Sequence, residues 1–339
     1  MPTEIDISTF LNLAKNIPVI DVRSPSEYQK GHIPGAINLP LFSDDERVKV
    51  GTLYVKNGKD DAYLLGLEIA GPKLKSFAME VKQIAVNQQL LVHCWRGGKR
   101  SSSMAWLFEQ IGIQVKILKG GYKSYRRHAL DWFEKKPNII VLGGMTGSGK
   151  TEILNELGKA GQQIIDLEGL ACHKGSAFGG LGQVKQPAQE QFENQLFETL
   201  QSLDYKDIVW VEDESINIGK NQLPNSWFGH MKQAKVIFLK RDIDIRIARL
   251  VEEYAGFSPA ELAGSITKIA KRLGGKDTSD ALEALQENDF KKVAEITLRY
   301  YDKAYLNLMQ MRPSENLIDF KPASNLSNEI AQELMHLKI

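Results

Sequence analysis

A short stretch of the sequence combines a nucleophile with a loop that suits an anion. Residues 90–101 read LLVHCWRGGKRS, in which Cys94 follows an apolar run and precedes a glycine pair and three cationic side chains. The glycine pair lets the backbone curl until its N–H groups point inward, and such a nest binds anions. The nest, the cations and the positive end of a helix starting near Ser101 favour a thiolate, which makes Cys94 the candidate nucleophile. The predicted anion loop comprises Trp95, Arg96, Gly97, Gly98, Lys99, Arg100 and Ser101.

Four other residues of reactive types are expected to be structural. His93 precedes the nucleophile on a predicted strand, so its side chain faces away from Cys94, and we expect a hydrogen-bonded structural histidine. Asp60 and Asp61 are candidates for a general acid by distance in sequence alone, and a solvated loop is the favoured interpretation. Cys172, the second of two cysteines, is expected to be a small core residue. Two cysteines this far apart indicate neither a disulfide framework nor a Cys-rich metal site.

A second stretch, GMTGSGKT at 144–151, satisfies the phosphate-binding pattern G-x-x-x-x-G-K-[ST] in full. The apolar run IIVLG precedes it and a helical pattern follows, which is the strand–loop–helix context that the motif needs. Lys150 supplies a cation for the terminal phosphate, and Thr151 can ligate Mg²⁺. The motif predicts a diphosphate or triphosphate site without identifying ATP. The predicted diphosphate-binding residues are Gly144, Thr146, Gly147, Ser148, Gly149, Lys150 and Thr151.

Two carboxylates, Glu212 and Asp213, stand at the end of the apolar run IVWVED. Either is suited to reach a metal-bound water at a phosphate loop, or to act as an acid or base there. A pair of solvated carboxylates at a strand terminus is an equally good interpretation, so the residues alone leave both open.

Strands alternate with helices in both halves of the chain, which predicts an α/β fold with parallel sheets covered by helices. In the first half a helix is predicted at 101–112, and strands are predicted at 18–22, 88–94 and 115–121. In the second half the pattern becomes helical from 241 onward, after strands at 139–144, 208–213 and 235–240. The polar segment before Pro137 indicates a linker at 131–138, between predicted domains at 1–130 and 139–339.

Size and charge limit the class of protein. The chain has 339 residues, which is more than one hydrophobic core usually covers. Its 43 basic and 42 acidic residues give a net charge of +1, so a nucleic acid would have to be bound by a local patch. No apolar run approaches the ~20 residues that span a bilayer, and Glu4 and Asp6 stand where a secretion signal carries positive charge. We therefore expect a soluble cytoplasmic protein without a membrane partner.

The residues on both sides of Cys94 resemble a rhodanese domain. The stretch VIDVRSPSEYQKGHIPGAINLPL at 19–41 is similar to the D-V-R-x-x-x-E-[YF]-x-x-G-H-I-x-G-A-x-N-x-P signature, and LKGGYKSY at 118–125 is similar to the L-x-G-G element. This resemblance implies a cysteine that carries a persulfide or perselenide. The C-x5-R spacing of Cys94 and Arg100 is one residue longer than in an ordinary rhodanese loop. It is typical of rhodanese-like phosphatases and has room for a tetrahedral oxyanion.

Over residues 5–305 the chain resembles the bacterial tRNA 2-selenouridine synthase family. The resemblance rests on CWRGGKRSSSMAW, GGMTGSGKT, DLEGLACHKGSAFGG and WVEDES, in that order. It implies an N-terminal rhodanese-like parallel-sheet domain followed by a P-loop NTPase-like α/β domain with a helical C-terminal extension. It also implies a selenotransferase with geranyltransferase activity, which converts 2-thiouridine at the wobble position of tRNA to 2-selenouridine. Geranyl diphosphate first alkylates the sulfur, and selenium from selenophosphate then replaces the S-geranyl group.

The same resemblance implies roles for the two loops. Cys94 takes selenium from selenophosphate as a transient perselenide, and the phosphate loop holds the diphosphate of geranyl diphosphate. Both compounds are substrates, Mg²⁺ is expected at Thr151, and no tightly bound cofactor is expected. The expected partners are tRNA and an enzyme that supplies selenophosphate. The candidate tRNA contacts, which a solvated charged face explains equally well, are Arg241, Arg246, Arg249, Lys271 and Arg272.

Other functions stay open at this point. The C-x5-R spacing and the phosphate loop together also suit a rhodanese-like phosphatase fused to a kinase-like domain. An ATP-dependent tRNA sulfurtransferase that uses a persulfide is a further alternative, as is a binding P-loop module with a vestigial rhodanese. Hydrolysis of an aryl phosphate that is lost in Cys94→Ser would favour the phosphatase, and sulfur transfer that requires ATP would favour the sulfurtransferase.

Overall fold

The computed structural model describes residues 2–310 and 312–337, which form two compact units. The first unit holds the described residues up to Trp132 together with Ala188–Glu198. The second holds Phe133–Pro187 and the described residues from Thr199 onward. The chain passes from the first unit to the second within the predicted linker at 131–138. The sequence did not predict that Ala188–Glu198 belongs to the first unit.

The first unit is built on five parallel strands in the order β1-β5-β4-β2-β3. The strands are β1 Thr3–Ile5, β2 Val19–Asp21, β3 Ile37–Asn38, β4 Gln89–His93 and β5 Gln114–Leu118. The helices are α1 Ile7–Ala14, α2 Pro25–Lys30, α3 Asp44–Asn57, α4 Lys59–Ala70, α5 Leu74–Ile84, α6 Lys99–Gln110 and α7 Gly121–Trp132. The three strands predicted in this half are therefore confirmed, while the edge strands β1 and β3 are too short to show a pattern.

The local sequence explains the elements that carry Cys94. In β4, which reads QLLVH, four of five residues are buried, because a parallel strand covered by helices must be apolar nearly throughout. Val92 on β4 and Phe108 on α6 share one core with Ile20 and Ile117 of the neighbouring strands. This core holds the end of β4 and the start of α6 on either side of the cysteine loop. The helix begins at Lys99, two residues before its predicted start.

The second unit is built on a second sheet of five parallel strands, in the order β12-β11-β6-β8-β7. These strands are β6 Asn138–Gly144, β7 Gln163–Ile165, β8 Ile208–Glu212, β11 Lys235–Leu239 and β12 Leu317–Phe320. A small antiparallel hairpin joins β9 Asn217–Ile218 to β10 Asn221–Gln222. The remaining helices are α8 Lys150–Lys159, α9 Leu167–Ala171, α10 Gln189–Gln201, α11 Asn225–Gln233, α12 Ile243–Tyr254, α13 Pro259–Leu273, α14 Gly275–Gln286, α15 Phe290–Met309 and α16 Ser327–Met335. Of these, α10 belongs to the first unit through Glu198.

The C-terminal part is helical from α12 to α15, as predicted, and then returns to the sheet. Helices α13, α14 and α15 share a core that includes Ile266, Leu285 and Ile296. After α15, the four residues of β12 pair in parallel with β11, and Ile330 of α16 packs in the sheet's core. A strand of four residues is too short for its period to be distinguished from a buried helical turn, which explains why the sequence predicted helices alone.

Both units have the predicted α/β architecture with parallel sheets. Within residues 2–310 and 312–337, no helix is long and apolar enough to cross a membrane.

Candidate functional site: a cysteine loop and a phosphate loop

Cys94 lies at the bottom of a loop whose groups face its sulfur. The residue is 3% exposed, and the backbone N–H of Gly98 donates to its Sγ at 3.3 Å. The Ser101 hydroxyl also lies 3.3 Å from Sγ and donates to the Gly98 carbonyl at 3.0 Å. A backbone N–H at the start of a helix is a group that stabilises a thiolate, whereas the proton of the Ser101 hydroxyl is directed to the Gly98 carbonyl. One N–H of the predicted nest, that of Gly98, is thus directed at the candidate nucleophile.

The glycine pair of the LKGG stretch explains how the loop closes. Gly121 has φ +59°, and a Cβ at this position would lie 2.4 Å from both the Cys94 carbonyl oxygen and the Gly97 nitrogen. Only glycine allows the two backbone segments to approach this closely. Gly97 itself has φ +66°, and the N–H of Tyr122 donates to the Cys94 carbonyl at 2.8 Å. Residues 120–122 therefore form the wall against which the cysteine loop is folded.

Ala188–Glu198 supports the same wall from behind. The Tyr122 hydroxyl donates to Glu190 Oε1 at 3.0 Å and accepts from Asn194 Nδ2 at 2.7 Å. Asn194 is fully buried and also donates to the His32 carbonyl at 2.8 Å. Arg126 of α7 pairs with Glu193 and donates to Asn194 Oδ1 at 2.5 Å. The first half of α10 is thus a built-in part of the cysteine unit.

Arg100, the cation of the C-x5-R spacing, is held by a carboxylate that the sequence did not single out. Its guanidinium donates to both oxygens of Glu27, at 2.6 and 3.2 Å. Burial raises the pKa of Glu27, but the hydrogen bond and charge of Arg100 outweigh this, so that the pKa is lowered overall. Glu27 is the acidic position of the rhodanese signature, which was the available signal. The other loop cations, Arg96 and Lys99, are exposed, and Lys99 Nζ lies 5.7 Å from the centre of the Tyr63 ring.

A buried charged group lies beside the loop. Arg23 is 0% exposed, donates to Asp21 Oδ2 at 2.6 Å and lies 3.8 Å from the centre of the Tyr122 ring. His93 is also fully buried, with Nε2 3.7 Å from Asp21 Oδ2. Burial lowers the pKa of His93, which favours the neutral ring. His93 is therefore buried, as expected of a structural residue. The expectation of a hydrogen-bonded ring was wrong, because neither buried ring nitrogen has a hydrogen-bond partner among the described residues.

Two further expectations were wrong in their local detail. Asp60 and Asp61 are exposed, as expected of solvated residues, but they lie in the first turn of α4 and not in a loop. Cys172 is half-buried, with φ +50°, at the C-terminal cap of α9. It is therefore not a core residue, because the end of a short helix left it at the surface.

The phosphate loop joins β6 to α8, as the motif predicts. It runs from Gly144 at the end of the strand to Gly149, which has φ +85° and caps the helix. Ser148 is 1% exposed, and Lys150 Nζ donates to the Gly144 carbonyl at 2.8 Å. The lysine thus bridges the two ends of the loop, across the space where backbone N–H groups converge on an anion. This places all seven predicted diphosphate-binding residues in one strand–loop–helix element.

Thr151 meets two carboxyl groups. Its hydroxyl donates to Glu168 Oε2 at 2.8 Å and lies 3.2 Å from Glu212 Oε2. The backbone N–H of Glu168 donates to Glu212 Oε1 at 2.8 Å. Burial, followed by the charges of Glu168 and Glu214, raises the pKa of Glu212 well above its usual range. Burial likewise raises the pKa of Glu168, so this pair holds a proton more readily than free carboxylates do.

The two carboxylates at the end of β8 have different surroundings. Glu212 is fully buried and faces Thr151, as described above. Asp213 instead accepts from Arg312 at 2.5 Å and from the Tyr305 hydroxyl at 2.8 Å, while Tyr305 accepts from the Gly144 N–H at 2.9 Å. Of the two candidates, only Glu212 therefore contacts Thr151, and Asp213 ties α15 to the phosphate loop. Glu168, which lies in the stretch DLEGLACHKGSAFGG, was missed because its approach to Thr151 is a tertiary contact.

The donor set at Thr151 suits a magnesium ion carried by a diphosphate. Among the residues described, no group of three or more His, Cys, Asp or Glu side chains is arranged to hold a metal ion by itself. Mg²⁺ at phosphate sites is held mainly by substrate oxygens and waters, with one or two protein oxygens. The hydroxyl of Thr151 and the nearby carboxyls of Glu168 and Glu212 provide such oxygens.

The predicted tRNA-binding cations have unequal surroundings. Arg246 is 3% exposed, donates to the Thr146 carbonyl at 2.9 Å and pairs with Asp302 at 2.5 Å. Arg249 pairs with Glu152 and lies against Gly149. Both arginines thus brace the phosphate loop, and Arg246 is too buried to reach a tRNA phosphate. We correct its assignment accordingly.

The other three cations lie elsewhere. Arg241 lies before the start of α12, so it is not on the same helix face as Arg246 and Arg249. Its guanidinium donates to the Asn325 carbonyl at 3.2 Å. Lys271 and Arg272 are exposed in the last turn of α13, and Arg272 donates to the Tyr300 hydroxyl at 3.5 Å. The exposed pair remains available to a polyanion. Arg246 is buried in the unit, whereas Arg249 lies partly exposed at its surface in an ion pair with Glu152.

These features define a class of protein in which a rhodanese-like domain with a candidate cysteine nucleophile is joined to a P-loop domain. Residues 8–128 match the model of the rhodanese-like domain, and residues 137–334 match that of the tRNA 2-selenouridine synthase AAA domain. The chain belongs to the tRNA 2-selenouridine synthase family, as its sequence indicated.

Curated relatives match over nearly their whole length. The tRNA 2-selenouridine synthase of Nitrosomonas europaea is 32% identical, over 91% of this chain and 93% of that protein. That of Shewanella frigidimarina is 37% identical, over 88% of this chain and 90% of that protein. That of Shewanella pealeana is 34% identical, over 86% and 89%. The similarity therefore includes both domains together.

Proposed function

We propose that this protein is a tRNA-modifying enzyme that converts wobble-position 2-thiouridine to 2-selenouridine in two steps. The observation that carries the proposal is the presence, in one chain of this family, of both a complete cysteine loop and a complete phosphate loop. A diphosphate substrate and a selenophosphate substrate each require an anion site. The chain offers one such site at Lys150 and another at Cys94.

The first step is geranylation of the tRNA sulfur. The thiocarbonyl sulfur attacks the allylic carbon of geranyl diphosphate, the carbon–oxygen bond breaks, and diphosphate leaves with the electron pair. The N–H groups of the phosphate loop and Lys150 stabilise the charge that develops on the diphosphate. Thr151, together with the adjacent carboxyls of Glu168 and Glu212, would hold a Mg²⁺ ion, which would neutralise part of the same charge.

The second step replaces sulfur with selenium. Selenium in selenophosphate has the oxidation level of selenide. Its transfer as a nucleophile to C2 of the modified uridine, where it displaces a thiolate, therefore needs no oxidant. The Cys94 perselenide implied by the family resemblance stays a prediction, and its formation from selenophosphate needs a two-electron acceptor. Attack of the Cys94 thiolate on phosphorus needs no electron acceptor, and we propose this attack as the role of Cys94.

In this reaction, a bond forms between the Cys94 sulfur and phosphorus while the phosphorus–selenium bond breaks, which frees selenide. Selenide then attacks C2, the C2–S bond breaks, and geranyl thiolate leaves and takes up a proton. Water finally hydrolyses the phosphocysteine and releases phosphate. The C-x5-R spacing supports this proposal, because it gives the loop room for a tetrahedral phosphoryl group. The Gly98 N–H, which donates to Sγ, favours the attacking thiolate.

Mass spectrometry of tRNA nucleosides tests the proposal. With thiolated tRNA, geranyl diphosphate and selenophosphate, the intact protein should give both the S-geranyl and the seleno nucleoside. Cys94→Ala should still give the geranylated nucleoside but no selenonucleoside, and Lys150→Ala should reduce geranylation at least tenfold. Cys172→Ala is the matched control and should retain both products. Absence of both modified nucleosides with the intact protein would refute the proposal.

A further inference from the structure

The second unit contains an apolar cavity that begins at the phosphate loop. Thr146 of the loop forms one end of its lining, and the rest comes from α12, α13, α15 and the segment between α9 and α10. Its lining is composed of Thr146, Ser176, Phe178, Leu250, Val251, Tyr254, Ala255, Leu262, Phe290, Val293, Ala294, Thr297 and Tyr301. A second link to the loop is Leu250, which would lie 3.1 Å from a Cβ at Gly147. The cavity thus lies next to the phosphate loop, with which it shares Thr146.

The walls offer little to a polar ligand. The Thr297 hydroxyl donates to the Val293 carbonyl at 2.9 Å, within its own helix. The Tyr301 hydroxyl accepts from the Ala177 N–H at 3.0 Å, and the Ser176 hydroxyl accepts from the Phe178 N–H at 3.1 Å. Three of the five hydroxyl groups in the lining, those of Ser176, Thr297 and Tyr301, therefore already take part in a hydrogen bond within the protein. Aliphatic and aromatic side chains make up most of the remaining surface, which favours a hydrocarbon.

The size of the cavity suits a short chain. Its enclosed part has a volume of about 50 Å³ for the centres of water molecules. One water needs roughly 10–15 Å³ of such volume, so the enclosed part holds several carbon groups. The cavity and the solvent space in front of its mouth together amount to about 500 Å³. A ten-carbon chain needs on the order of 300 Å³, if each carbon group takes about the volume of one water.

We infer that this cavity binds the hydrocarbon tail of the allylic diphosphate whose diphosphate group lies in the phosphate loop. The inference rests on the proposed function, and it gives that function a location for the alkyl chain. An amphipathic substrate of this class needs an anion site and an apolar site next to each other. Thr146 belongs to both, so one ligand can occupy them together.

The chemistry of the walls argues against a nucleobase in the same place. A purine ring is recognised by hydrogen bonds to its edge, and a buried base without them loses the bonds that it made to water. The hydroxyls of Ser176, Thr297 and Tyr301 are engaged as described, whereas a hydrocarbon requires no partner. Burial of the chain away from water would then contribute directly to binding.

Calorimetric binding of two probes to the full chain tests the inference. Geranyl S-thiolodiphosphate is a slowly reacting analogue with the tail, and inorganic diphosphate is the head group alone. Ala294→Phe should fill the cavity and weaken binding of the tailed analogue at least tenfold, while diphosphate binding changes less than twofold. Ala260→Phe, at an exposed position on α13, is the matched control and should bind both probes as the wild type does.

A variant of opposite sense keeps the inference testable if Ala294→Phe fails to fold. Phe290→Ala enlarges the cavity and should raise the affinity for a fifteen-carbon analogue, relative to the ten-carbon one, several-fold. Equal binding of the tailed analogue by wild type and folded Ala294→Phe overturns the inference, as does an unchanged chain-length ratio in Phe290→Ala. Weaker binding of an ATP analogue in Ala294→Phe, with unchanged binding of the tailed analogue, would also overturn it. Absence of a geranylated nucleoside with the wild type refutes the proposed function instead.

Discussion

Arg100 and Glu27 form a bidentate ion pair at the cysteine loop, with nitrogen–oxygen distances of 2.6 and 3.2 Å. Two parallel hydrogen bonds fix the plane of a guanidinium as well as its position. Glu27 has a lowered pKa despite its burial, so it stays charged and holds the arginine. The C-x5-R spacing places Arg100 in the first turn of α6, and Glu27 determines the orientation of its guanidinium.

Substitution Glu27→Gln should therefore impair selenation by about tenfold and leave geranylation unchanged. A neutral amide cannot accept two charge-assisted hydrogen bonds, so Arg100 loses its fixed orientation. The KM for selenophosphate should rise more than kcat falls, because the arginine orients a substrate anion. Kinetics followed by nucleoside mass spectrometry would show this, with Glu80→Gln on the exposed side of α5 as the control. An equal loss of both steps would mean that Glu27 only maintains the fold.

Substitution Gly121→Ala should disrupt the cysteine loop specifically. The added Cβ would lie 2.4 Å from the Cys94 carbonyl oxygen, and the residue has φ +59°. We expect at least a hundredfold loss of selenation with geranylation retained. Gly112→Ala is the matched control, because Gly112 has φ +86° but a Cβ there meets nothing within 4 Å. Both variants incur about 1–2 kcal/mol of backbone strain, and only the first has the clash. Similar losses of selenation in Gly121→Ala and Gly112→Ala would show that backbone strain, and not the clash, causes the effect.

The chemical role proposed for Cys94 predicts a phosphorylated intermediate. Selenophosphate labelled in its phosphorus should transfer the label to the protein after rapid quenching, and Cys94→Ala should remain unlabelled. Intact-protein mass spectrometry should show an adduct without the isotope pattern of selenium. Cys172→Ala should behave as the wild type. An adduct on Cys94 with the selenium pattern would instead establish the perselenide.

The sequence predicted the two loops because each is a local motif. Cys94 with its glycines, and Lys150 with its own, lie within a few residues of the elements that position them. Their backbone conformations follow from glycine and from the adjoining strand and helix. The parallel sheets were predictable for the same reason, since buried parallel strands read as short apolar runs.

What the sequence could not predict are contacts between residues far apart in the chain. An arginine on an amphipathic helix looks the same whether it faces solvent or a phosphate loop, and Arg246 lies 100 positions from its partner Thr146. The same holds for Glu168 and Thr151, and for Asn194, which reaches Tyr122 over 72 positions. Charge and periodicity indicate that such residues are polar, and only the fold shows which partner they meet.

The carboxyl cluster beside Thr151 predicts that the stability of the second unit depends on pH. Burial and the charge of Glu168 raise the pKa of Glu214 from 4.5 to about 8, and burial raises the pKa of Glu212 as well. The folded protein therefore holds protons that the unfolded chain releases above pH ~4.5. Because the native state binds more protons, the stability that this group contributes is fully present below this value and is lost as pH rises toward about 8.

Substitution Glu214→Gln, which imitates the protonated group, should reduce this loss. We expect the free energy of unfolding to fall between pH 5 and pH 8.5 by on the order of 1–3 kcal/mol less in the variant than in the wild type. Urea unfolding at a series of pH values measures it. Glu283→Gln, at an exposed position on α14, controls for the removal of a carboxylate as such. Parallel pH curves for the wild type and Glu214→Gln would show that Glu214 does not hold a proton in the folded state.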